Sequence, residues 1–460
     1  MLSNRYKVHY RKNFLLAYPV MLSQLGQVLV GLADSLMVGR LGAEPLAAAS
    51  LANVVFYMIM VFGLGVSLAV TPLVAAADGE NDDSKITTIF SNGLMINVVL
   101  GILLALGVVL CTPVLYHLDQ PPPVVILATP YLRIITVALV PYMIFQSFRQ
   151  FAEGMGNTRQ AMYITLSGNA LNIILNYLLI YGKWGFPELG LNGAGWATLI
   201  ARTAMAVAMG LFVFHAPQFR SFRAAFSFTH ISKKVIRRIL NVGVPAGFQF
   251  VFEVSAFGTA AIMMGWLGTQ TLAAHQIALN LASISYMMAT GIASAATIRV
   301  GNQLGRKDMV NLRLAGNTCF IMVALFMGAA AIVFITMRGF FPTLYIDELE
   351  VIEIASQLLV VAAFFQVSDG VQVVAMGALR GIEDVKIPTL IAVTAYWVIG
   401  LPAGYLLAFN LGLGANGIWY GLFIGLTLAA IALFYRFRHK TKQMVFRWSG
   451  ISSSMAFDQE

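Results

Sequence analysis

Charge is what this chain has least of. Only 11% of its 460 residues are Asp, Glu, Lys or Arg, and 59% are hydrophobic; an ordinary soluble domain carries about 25% charged residues. No soluble fold of this length hides so much apolar surface, so the chain reads as an integral membrane protein. Cysteine is scarce too. Cys111 and Cys319 stand in separate apolar runs without CxxC spacing, which favours packing roles over a disulfide, metal or redox pair. Acids within the long apolar runs and away from their ends are scarcer still, and they are Asp34, Glu253 and Asp369. The spans carry no HExxH, GxSxG or paired-Asp motif of a membrane-embedded enzyme and no TVGYG filter of a channel. The expectation is a protein that is not an enzyme and needs no cofactor.

The remaining charge is basic, +9 net, and its distribution argues against a nucleic-acid partner. Apolar runs of roughly 20 residues, the length that crosses a bilayer as helix, recur about twelve times. They fall near 14–36, 46–74, 86–110, 124–150, 161–182 and 191–214, then 239–264, 272–297, 314–336, 352–379, 387–409 and 415–435. The runs are continuously apolar and do not alternate, so they are not barrel strands. The first reads as an uncleaved span, because it is longer than a signal core and lacks a small-x-small cleavage site. An even count puts both termini on one side. Arg5 to Lys12, Arg220 to Arg238, Arg299 to Arg313 and Arg436 to Arg447 then share that side, which the positive-inside bias makes cytoplasmic. The expected location is the cytoplasmic (inner) membrane, with lipids around a monomer.

A repeat about 226 residues apart organises the chain. Pro19 to Ala52 aligns without a gap onto Pro245 to Ala278, so that Gly39 matches Gly265, Leu41-Gly42 matches Leu267-Gly268, and Leu46-Ala47-Ala48 matches Leu272-Ala273-Ala274. A weaker echo joins Gly154 to Arg159 with Gly381 to Lys386. Six spans per half give both copies the same orientation, as in parallel-repeat transporters. The expected fold class is therefore all-α integral membrane, with two six-helix lobes around a central cleft. The expected limits are residues 1–215 for the first lobe, 216–238 for a basic linker, and 239–460 for the second lobe with its basic tail.

A carboxylate at mid-span costs roughly 2.5–3.5 kcal/mol on insertion scales. Glu253 lies about 15 residues, or roughly 22 Å, into its run, so it calls for a proton, a metal ion or a cationic ligand. A neutral Glu acting as interhelical glue is the structural alternative. Asp369 sits at mid-span ten. Asp34 stands near the outer interface, where an acid is either a ligand or merely solvated. Asn169, Asn172 and Asn176 share one helix face, either as ligands or as interhelical hydrogen bonders, and Thr198 is expected to bond its own backbone. Gln249, Gln276 and Gln366 are secondary candidates, and His275 is expected at the interface. Pro19 and Pro245, at matching depths, are expected to kink spans one and seven.

The pattern P-x19-G-x-L-G-x3-L-A-A in both halves, Glu253 in span seven, and Phe365-Gln366-Val367-Ser368-Asp369-Gly370-Val371-Gln372 ahead of Leu379-Arg380-Gly381 together resemble the multidrug and toxic compound extrusion (MATE) family, NorM-type branch. The likeness runs from about residue 10 to residue 440. It implies export of lipophilic organic cations in exchange for sodium ions or protons, with a C-lobe cation site at Glu253 and Asp369 that could take sodium. It also implies an N-lobe site at Asp34, Asn172, Asn176 and Thr198. Many members carry a tyrosine four residues before the span-ten aspartate; here that residue is Phe365, and a hydroxyl ligand is missing. A flippase for lipid-linked precursors and a membrane-embedded enzyme are the alternatives. The first would need a strongly basic cleft, and the central spans offer Arg133 and Arg202.

Overall fold

A computed structural model describes residues 2–117, 120–225 and 231–457. Among these the regular structure is entirely helical, and twelve helices are long and apolar enough to cross a membrane. In the first half they are α1 (Tyr6–Gly39), α2 (Ala43–Gly79), α3 (Asp83–His117), α4 (Pro122–Gly154), α5 (Thr158–Tyr181) and α6 (Gly190–His215). In the second half they are α7 (Lys233–Trp266), α8 (Thr269–Gly305), α9 (Met309–Thr336), α10 (Leu349–Gly381), α11 (Lys386–Asn410) and α12 (Gly414–Val445). Pro19 and Pro245 lie inside continuous helices.

Number and order follow the apolar runs, but the helices extend beyond them. The extension changes the inventory of buried acids. Glu153, placed by its polarity just past the fourth run, is 3% exposed in the last turn of α4. It is kept there by Arg149, one helical turn earlier, whose Nε donates to Glu153 Oε1 at 2.6 Å. Adjacent turns of a helix face bring opposite charges together, and the pair makes burial tolerable where either charge alone would not be.

The duplication is written into the turns. Gly42 and Gly268 precede α2 and α8 with φ of 122° and 125°, a region closed to side-chain-bearing residues. Asp82 and Asp308 cap α3 and α9 by accepting from Lys85 N at 2.9 Å and Asn311 N at 3.0 Å. Before them Asn81 and Lys307 share a left-handed backbone, at φ 56° and 60°. The capping carboxylates satisfy helix-start amides that have no intrahelical partner.

The chain divides into two compact units. One is Leu22–Val251; the other joins Met1–Met21 to Phe252–Glu460. These limits fall inside α1 and α7, away from the polar linker where the sequence repeat changes over. The start of α1 is tied into the second unit, where Asn13 Nδ2 donates to Thr318 Oγ1 at 2.7 Å and Ala315 O at 3.1 Å. The start of α7 belongs to the first unit and packs on α2. A β-carbon on Gly65 would lie 2.5 Å from Gly247 Cα, so the two backbones nearly touch.

In the second unit α11 departs from regular α geometry, with π-helical turns at Thr394–Gly400 and Leu406–Asn410. Such widened turns often occur at functional sites. Glycines let α12 lie directly on this stretch, and a β-carbon on Gly421 would fall 2.3 Å from both Gly404 Cα and Gly404 N. Gly421→Ala is expected to destabilise the detergent-solubilised protein by about 1–3 kcal/mol. Gly107→Ala, where nothing lies within 4 Å of the new methyl, serves as the control; equal melting temperatures for the two variants would contradict the close packing.

Candidate functional site

In the second unit α7, α8, α10 and α11 bring one polar cluster together. Glu253 on α7 and Asp369 on α10 are each 6% exposed, and their charges lie close enough to repel. Tyr286, nearly five turns into α8, donates its hydroxyl to Glu253 Oε1 at 3.0 Å. Tyr396, on the first π-helical stretch of α11, donates to Gln372 Oε1 at 2.5 Å, and its ring lies within electrostatic reach of both acids. The neighbouring Trp397 donates Nε1 to the carbonyl of Phe252 at 3.0 Å, which pins α11 beside the residue that precedes Glu253. Gln366, one turn before Asp369, is 1% exposed and neither atom of its amide has a hydrogen-bond partner. Buried amides are normally satisfied, so this cluster has acceptor and donor capacity left over.

Phe365 occupies the place of the expected tyrosine and takes a packing role. Its ring centroid lies 5.3 Å from that of Trp419, whose Nε1 donates to His275 Nδ1 at 3.1 Å. His275 is 0% exposed, which corrects its expected interfacial place. Position near a helix start suggested exposure, but α12 covers the imidazole with an indole. The hydroxyl missing at Phe365 reaches Glu253 from a different helix, through Tyr286.

In the first unit the expected residues form a ladder. Asn176 Nδ2 donates to Asp34 Oδ1 at 2.5 Å and lies 3.3 Å from Asn172 Oδ1. Asn172 Nδ2 reaches Thr198 Oγ1 at 3.4 Å. Thr198 also bonds its own helix, donating to Ala194 O at 3.0 Å, as expected of a threonine within a span. Asn169 lies off the ladder, and its Nδ2 is buried without a partner. Arg202, one turn beyond Thr198 on α6, feels the charges of Asp34, Tyr131 and Tyr142. Arg133, on α4, is exposed. Of the secondary glutamines, Gln249 is buried and Gln276 is exposed.

Six residues singled out in the sequence thus fall into two groups, Glu253 with Asp369 and Asp34 with Asn172, Asn176 and Thr198. Tyr286, Tyr396 and Arg202 join them only in three dimensions. No spacing rule links a tyrosine on α8 to a glutamate on α7, and 16 tyrosines give composition no way to choose. A double-mutant cycle of Tyr286→Phe and Glu253→Gln, read by thermal unfolding in detergent, is expected to give a coupling of about 0.6–1.7 kcal/mol. Zero coupling would show that the two side chains do not bond.

Comparison with known proteins agrees with this architecture. Residues 19–178 and 245–406 match the MatE family, one stretch in each copy of the repeat. The chain is 36% identical to the "Probable multidrug resistance protein NorM" of Pseudomonas putida over 94% of each sequence. It is 37% identical to the protein of the same name from Rhodopseudomonas palustris, covering 93% of this chain and 91% of that one. Among solved structures, a MATE protein crystallised in a bent conformation superposes with a TM-score of 0.88 at 19% identity, covering 96% of this chain and 98% of the other. Together with the twelve membrane helices, these matches show that the chain is a multi-pass membrane protein belonging to the MatE family.

Proposed function

We propose that the protein is a secondary antiporter that exports lipophilic organic cations and drugs in exchange for sodium ions or protons. The observation that carries this reading is the buried pair Glu253 and Asp369. Two carboxylates in a low-dielectric site repel each other, and taking up a cation or a proton relieves the repulsion. One site then serves two ligands in turn. The coupling ion displaces the organic cation in one conformation, and the organic cation replaces the ion in the other, provided each binds the two conformations differently. The relatives named above are called multidrug resistance proteins, and solved relatives are called transporters; both names favour export over membrane-embedded catalysis. The flippase reading is weaker, because among the described residues each cluster has a single arginine within electrostatic reach of its carboxylates, Arg202 in the first unit and Arg380 in the second.

The residues present suit a hard cation as well as a proton. The polar groups of the cluster carry oxygen atoms, in the two carboxylates, the Tyr286 and Tyr396 hydroxyls and the amide of Gln366, and such cations favour oxygen ligands. Sodium would be held by Glu253 and Asp369. Asp34, with Asn172, Asn176 and Thr198 behind it, is the second cation-binding group in this reading. In this reading the basic connections favour cytoplasmic termini, and the protein acts as a monomer in the inner membrane.

Purified protein in liposomes, given an imposed sodium or pH gradient, is expected to drive efflux of a fluorescent organic cation. Glu253→Gln and Asp369→Asn should each slow that efflux by about tenfold or more, equivalent to ~1.4 kcal/mol, and Asp34→Asn should impair it too. Full activity in all three variants would remove the carboxylate mechanism. Transport that persists without sodium and stops when the pH gradient collapses would assign the proton.

A further inference from the structure

The first unit holds a charge that an organic-cation site does not need. Arg202 is set in α6 with its guanidinium walled by aromatic rings, its Cζ 5.1 Å from the centroid of Phe56 and 4.8 Å from that of Tyr142. Its Nη2 points at the thioether of Met60, 3.8 Å away, a weak acceptor. Its Nη1 is shielded from solvent and has no hydrogen-bond partner. A guanidinium keeps its charge in a protein. Ring faces compensate part of its desolvation, but they leave the in-plane N–H donors unpaired. The partner those donors match best is a carboxylate, which the planar fork binds through two parallel hydrogen bonds.

A carboxylate is present in the same site and does not take that role. Asp34 attracts Arg202, yet no N···O contact of 4.0 Å or less joins them. Asp34 instead accepts from Asn176, and the ladder runs on through Asn172 to Thr198. The helix positions hold the poles apart. α6 carries Arg202 one turn past Thr198, while Asp34 sits in the last turns of α1. A negative pole and a positive pole on separate helices, within electrostatic reach but unpaired, are complementary to a molecule that carries both charges.

We propose that Arg202 is a specificity-determining residue that receives the carboxylate of zwitterionic compounds whose cationic end is held by Asp34. This assignment rests on the export reading above and names a substrate class for the first unit. A simple organic cation uses the Asp34 end alone and gains nothing from Arg202. A zwitterion uses both ends, and Arg202 supplies the acceptor site its carboxylate would otherwise lose on leaving water.

The test compares a carboxyl-bearing cationic rhodamine dye with its own methyl ester, binding to purified full-length protein by fluorescence polarisation. The two probes share ring system and positive charge and differ only in the carboxylate. Wild-type protein should bind the free acid more tightly than the ester. In Arg202→Gln that ratio should shift toward the ester by about ten- to a hundredfold, the range of a charge-assisted hydrogen bond. Arg202→Lys, which keeps the charge, should retain part of the preference, and Asp34→Asn should weaken both probes. A wild-type preference for the ester, or a ratio that Arg202→Gln leaves unchanged, would overturn the assignment, and the first outcome needs no variant to fold. Liposome efflux of the ester separates this from the broader reading. If the ester is exported while the ratio is unchanged, only the Arg202 assignment fails; if wild-type protein exports neither dye, the export reading fails.

Discussion

Hydrocarbon cannot accept or donate a hydrogen bond, and most of this structure follows from that limit. The backbone meets it by being helical throughout the spans. Polar side chains meet it by finding one another: Asn97 donates to Ser147 at 2.6 Å, Asn13 to Thr318, and Arg149 to Glu153. Several buried polar atoms among the described residues still lack a partner. Two of these groups, the amide of Gln366 and Nη1 of Arg202, lie beside a cluster that holds a carboxylate. Polar capacity left unsatisfied in such a medium is costly unless a ligand completes it.

The two copies of the repeat share their turns and differ in their sites. Gly42 and Gly268 hold the same unusual backbone angle, and Asp82 and Asp308 cap equivalent helices. At the sites the correspondence ends, since Asp34 aligns with Ala260 and Glu253 with Gln27. A turn leaves few choices, because its dihedral angles admit glycine or its helix start requires an acceptor. A position on a helix face constrains polarity much less. The duplication therefore preserved the scaffold and left the chemistry free to diverge into a pair of acids on one side and an acid with amides and an arginine on the other.

α1 and α7 each start in one compact unit and end in the other. Asp34 and Glu253 both sit on the later part of their helices, beyond the point of exchange, so each acid belongs to the unit its helix enters and not to the one in which it begins.

The amino-acid sequence by itself determined the membrane class, the twelve spans, the duplication and the three intramembrane acids. Those properties are local or periodic: a run of 20 apolar residues or a lone carboxylate within it has the same meaning wherever the helix packs. It also supplied the asparagine stripe, since residues three and four apart share a helix face. The tertiary structure decided which helices face one another. That placed Tyr286 and not residue 365 against Glu253, covered His275 with Trp419, and set Arg202 within electrostatic reach of Asp34 without pairing them. These are contacts between residues far apart in the chain. They depend on crossing positions set by close glycine contacts such as Gly65 with Gly247 and Gly421 with Gly404, which no periodicity within a single helix contains.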